Sequence, residues 1–175
     1  MATSLSNNPL VQDHELPPFR EIQPEHIVPG MEFILEDNRK RIGEIIVKGD
    51  FSFQGLVKSL EQLEDRLNKA WSPIGHMNAV VNSDELREAY NACLPKLSEY
   101  HTELGQNEAL YQALESLSKS AESDTLTQAE KKVVENLLRD FRLSGVALDS
   151  EKKERFAELS KQLAEVTSKF ADNVM

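Results

Sequence analysis

Residues 13–30, DHELPPFREIQPEHIVPG, hold two histidines, each beside a glutamate, and the run His14-Glu15-Leu16-Pro17-Pro18 comes within one residue of HExxH. In an HExxH site two histidines one helical turn apart hold zinc, and the glutamate takes a proton from metal-bound water. Pro18 stands where the second histidine is required. Consecutive prolines also drive the residues before them towards extended backbone, so neither the ligand pair nor its helix is encoded. His14 therefore reads as a solvated histidine of a terminal segment.

His26, His76 and His101 fall on three separate elements, and none is spaced three or four residues from another. They read as surface or hydrogen-bonded histidines rather than ligands. Cys93 sits on an apolar helical stripe between Tyr90 and Leu97, the setting of a small buried hydrophobe; His101 is two turns away, too far to activate it as a nucleophile. Glutamates are abundant but fall on polar helix faces, where pairing any two as acid and base would be arbitrary. Scattered glycines build no phosphate-cradling loop. The sequence thus offers no catalytic, cofactor-binding or metal residue of its own.

The 175 residues suit one domain with a sizeable core. Formal net charge is -10 with no basic stripe to offset it, which opposes contact with a phosphate backbone and argues against nucleic acid as a partner. The single cysteine excludes an internal disulfide and a cysteine-based zinc cluster. The first fifteen residues lack a secretory pattern and no run of 18 apolar residues spans a bilayer, so no membrane partner and a cytoplasmic location are expected.

Periodicity predicts an all-α chain of about six amphipathic helices in a bundle-like lobe. Residues 1–15 read as a mobile tail, followed by an extended LPPF and a short helical turn at QPEHIVPG. Ile27, Met31, Ile34, Leu35, Ile42, Ile45 and Ile46 mark a first helix ended by Gly49. Ser52 caps a second, carrying Leu56, Leu60, Leu63, Leu67, Ala70 and Trp71, which Pro73 and Gly75 should break. A linker, SPIGHMNAVVNS, leads to Ser83, cap of a third helix that Pro95 should kink and Gly105 close. The fourth carries Leu110, Tyr111, Leu114 and Leu117, and the Ser-rich SKSAESDT reads as a loop. Thr127 and Glu130 form a capping box for the fifth helix, closed near Gly145. The sixth opens near Asp149 with the stripe Phe156, Leu159, Leu163, Val166, Phe170 and Val174, flanked by the pairs Glu151–Arg155 and Glu165–Lys169. Such a stripe is usually the core face of its own bundle. It runs to the last turn without a cap, so the chain reads as cut within this helix.

Three strings go further: LPPFREIQPEHIVPG at 16–30, WSPIGHMNAVVNSDELREAYNACLPKLSEY at 71–100, and AEKKVVENLLRDFRLSGVALDSEKKERFAELSKQLAEVTSKFADNV at 129–174. Together they resemble the N-terminal region of the thimet oligopeptidase and neurolysin family of zinc metallopeptidases, in its bacterial oligopeptidase A branch. The resemblance implies that residues 16–175 are the N-terminal helical region of a larger two-lobed peptidase, whose channel admits short peptides. It implies zinc in the parent protein, held by the two histidines of HExxH and a later glutamate, with the HExxH glutamate as general base. Those positions lie downstream, so this chain is expected to be non-catalytic, a channel wall and scaffold whose partner is the missing catalytic portion. A stand-alone helical interaction module is the rival reading.

Overall fold

The computed structural model describes residues 5–81 and 83–174, the side chains of Ser6, Ala171, Asp172 and Val174 excepted. Among these residues it is all-α, with seven α-helices and no strand. α1 (Pro24–Lys48) opens with Pro24 at a first-turn position, where its missing N–H removes no helical bond, and ends at Gly49, whose φ of 68° a side chain would oppose. QPEHIVPG is thus the first part of α1 rather than a separate turn, and Pro29 lies inside the helix.

Ser52 caps the next segment as expected, its Oγ accepting the Gly55 N–H at 2.9 Å. That segment begins as a π-turn, Phe53–Val57, and continues as α2 (Lys58–Val80). The predicted break at Pro73 and Gly75 does not occur. Pro73, Ile74 and Asn78 are all buried, and burying that face outweighs the roughly 3 kcal/mol a helical proline costs. Most of the expected linker is therefore helix, and Asn82 of that linker lies outside the described residues. α3 (Asp84–Gly105) is capped by Ser83 and runs unbroken past Pro95 to bury Leu97 and Tyr100.

α4 (Glu108–Ser118) is capped by Asn107, which accepts the Leu110 N–H at 3.0 Å. The expected Ser-rich loop contains a short helix, α5 (Ala121–Thr125). It places Glu122 so that Oε1 accepts the Phe53 N–H at 2.9 Å, supplying an acceptor to a free helix-start donor. α6 (Gln128–Leu143) carries the expected capping box of Thr127 and Glu130, and Gly145 follows at φ 85°. α7 (Ser150–Val174) starts where Asp149 Oδ1 accepts the Lys152 N–H at 3.0 Å. On its outer face Arg155 meets Glu158 at 2.6 Å, in place of the expected Glu151.

α1, α2 and α3 form an up-down-up layer. Glu32 pairs with Lys96 at 2.9 Å and Arg39 with Glu103 at 2.7 Å, so the middle of α1 runs parallel to the C-terminal half of α3. Within that layer Asn38 is wholly buried, its Nδ2 donating to the Leu63 carbonyl and to the Tyr100 hydroxyl, each at 3.3 Å. α4 and α6 pack together beyond α1, with Tyr111 against Phe141. A single core joins Ile34, Leu67, Cys93, Leu114 and Leu138 from five helices. α7 lies along α3, antiparallel, with Ser168 donating to Asn91 Oδ1 at 2.9 Å.

Residues 8–11 depart from the tail expected over residues 1–15. Asn8, Pro9 and Leu10 are buried against α1, where Asn8 Nδ2 donates to the His26 carbonyl at 2.7 Å and Asn8 Oδ1 accepts the Leu10 N–H at 3.0 Å. The contact works because position 30 is glycine: a Cβ there would stand 3.0 Å from Asn8 Nδ2 and 3.1 Å from Leu10 Cβ. Residues 1–4 lie outside the described residues.

Two outcomes are expected. Asn8→Ala removes the side-chain bonds to the His26 carbonyl and the Leu10 N–H and should lower unfolding free energy by about 1–2 kcal/mol in urea titrations followed by circular dichroism. Asp37 pairs with Arg66 and with Arg41; burial pushes its carboxyl up, but these partners win and hold it below the ordinary value. Its stabilisation is therefore complete above the unfolded carboxylate range and lost as pH falls through the lowered folded value. Asp37→Asn should cost roughly 1 kcal/mol at pH 7 in the same titrations, and progressively less as pH falls below the ordinary carboxylate range.

Candidate functional site

Diproline 17–18 does what the sequence requires of it: it denies a helix to residues 14–18 and turns the chain back towards α2. Phe19 then reaches the ring of His76, centroids 5.7 Å apart at 58°. Between this segment and α2 lies a groove of about 1090 Å³, walled by Leu10, His14, Phe19, Arg66, Lys69 and His76. The fold thus brings His14 and His76 to one groove from separate elements. No local period links these positions, so spacing carries no signal for their meeting.

Three of the groove's polar groups have partners. His14 Nε2 donates to the Pro9 carbonyl at 3.1 Å, Lys69 pairs with Asp65 at 2.6 Å, and Arg66 is held by Asp37. Away from the groove, His26 Nδ1 accepts the Gln23 N–H at 3.1 Å at the start of α1, and His101 lies edge-on to Tyr100 at 5.5 Å. Zinc needs at least three convergent donors. Among the described residues no group of three His, Cys, Asp or Glu side chains is placed to hold a metal, so these residues do not fit the zinc that the resemblance implies.

Cys93 is fully buried in the core as its place on the stripe predicts, and burial pushes its thiol up to about 12. At neutral pH it holds its proton and is no nucleophile. A half-buried aromatic pair, Trp71 stacked on Tyr90 at 4.8 Å and 13°, lies where α2 meets α3. No helix among the described residues is long and apolar enough to cross a membrane.

With the groove and its partners in place, the chain can be compared with known proteins. The family model for the neurolysin/thimet oligopeptidase N-terminal domain matches residues 31–153. This chain belongs to that family. It is 46% identical to oligopeptidase A of Haemophilus influenzae over 169 residues, covering 97% of this chain and 25% of the relative. It is 43% identical to oligopeptidase A of Escherichia coli, covering 96% and 25%. The organellar oligopeptidase A of Arabidopsis thaliana is 33% identical over 98% of the chain and 22% of its own length. The chain therefore spans about a quarter of the length of the oligopeptidases A it matches.

The thiol provides a direct check on the core. Native chain at pH 8 should leave Cys93 unmodified by Ellman's reagent over an hour, and urea unfolding should release one equivalent.

Proposed function

We propose that this chain is the N-terminal helical portion of a cytoplasmic, zinc-dependent oligopeptidase that hydrolyses short peptides. In this reading it is part of the channel wall and a scaffold for the catalytic half, and carries no catalytic group itself. One observation carries the proposal: nearly the whole chain aligns with a quarter of oligopeptidase A, and the family model it meets is that of an N-terminal domain. In the parent, the two histidines of a downstream HExxH and one further glutamate would hold zinc, and the HExxH glutamate would act as general base on the bound water. Short peptides are then the parent's substrates. The grooved, polar face of this chain would meet them as a boundary rather than as a reagent.

The proposal is tested by comparing this chain with its full-length parent on a fluorogenic peptide of about ten residues. The parent should cleave it, lose activity to 1,10-phenanthroline and recover with added zinc; this chain should show no turnover above buffer. Turnover by this chain after chelation and repurification, or a parent without HExxH, would sink the reading. A natural reading frame closing after Met175, with a stable monomer, would favour the interaction-module alternative.

A further inference from the structure

α7 is oriented unlike the other long helices. The half-buried positions that seat it are Phe156, Ala157, Ser160, Ala164 and Ser168, mostly small, whereas Leu159, Leu163, Val166 and Phe170 are 47%, 68%, 62% and 69% exposed. At 100° per residue those four form one continuous stripe, about a third of a turn round from the side facing α3. The opposite flank is charged, with Glu158, Lys161, Glu165 and Lys169. The helix is therefore amphipathic towards something other than its neighbour α3.

We infer that this stripe is the docking face for the polypeptide that follows residue 175 in the full-length protein, so that α7 is an interior helix there. The inference rests on the reading of the chain as the N-terminal part of a longer peptidase. The aligned relatives carry roughly three-quarters of their length outside the matched region, which supplies the occupant. A second copy of this chain fits less well. The four side chains present roughly 450 Å², against the ~800 Å² per partner that a stable dimer buries, and each copy brings a net charge of -10. Continuous chain needs less area, because its attachment at residue 175 holds it at high effective concentration.

The test is thiol labelling of Leu163→Cys, with Glu165→Cys on the charged flank as control, in this chain and in the full-length parent; the buried native Cys93 stays silent. Position 163 should react fast in this chain and about 100-fold or more slowly in the parent, while position 165 reacts fast in both. Equal rates at 163 in the two proteins would overturn the inference, as would a reading frame with nothing after residue 175. Protection of 163 in the isolated chain, together with a dimer in sedimentation, would assign the stripe to a second copy instead. Peptide cleavage by the same parent separates the two proposals. An inactive parent with 163 protected removes the peptidase reading and keeps the docking face; an active parent with 163 accessible does the reverse.

Discussion

Burial of one face of α1, from Ile27 through Met31, Ile34 and Leu35 to Ile42, is the constraint to which the other helices answer. α2 and α3 close over it, the segment at 8–11 covers its start, and α4 reaches it from beyond. Asn38 stands in the middle of this face and cannot be buried without partners, so it needs both the Leu63 carbonyl of α2 and the Tyr100 hydroxyl of α3. Apolar stripes alone would tolerate a slip of one turn between helices. A buried amide with donors owed to two neighbours makes such a slip costly.

Helix identity was legible because it is local. Ser52, Ser83, Thr127 with Glu130, Gly49 and Gly145 all act where their side chains or backbone preferences place them. The misreadings share a cause: Pro73, Gly75 and Pro95 carry a local penalty that burial of residues beyond them repays, and a sequence window does not see that burial. The same holds for α5, whose reason for being helical is an acceptor for Phe53, some seventy residues earlier.

Of the candidate site, the burial of Cys93 was legible and the geometry of the groove was not. Pro17 and Pro18 announce that HELPP is no zinc motif, and the stripe places Cys93 in the core. That Asn8 would pin the N-terminal segment to α1 through the notch at Gly30 depends on a contact between two loose-looking pieces of sequence, and no periodicity encodes it. The outward stripe of α7 was visible as a pattern, but its direction was not. Period tells which residues share a face, never what that face meets.

The seat of α7 on α3 has a mechanical side. Ala157, Ser160, Ala164 and Ser168 make shallow ridges, and shallow ridges resist axial sliding weakly compared with interlocked leucines. Register on α3 falls instead to Ser168, tied to Asn91 at 2.9 Å, while Lys153, about 22 Å back along the helix, ties α7 to Glu108 at the start of α4 at 2.5 Å. An axial load on α7 would therefore fall on two different neighbours, α4 near its start and α3 near its far end, rather than evenly along the seat.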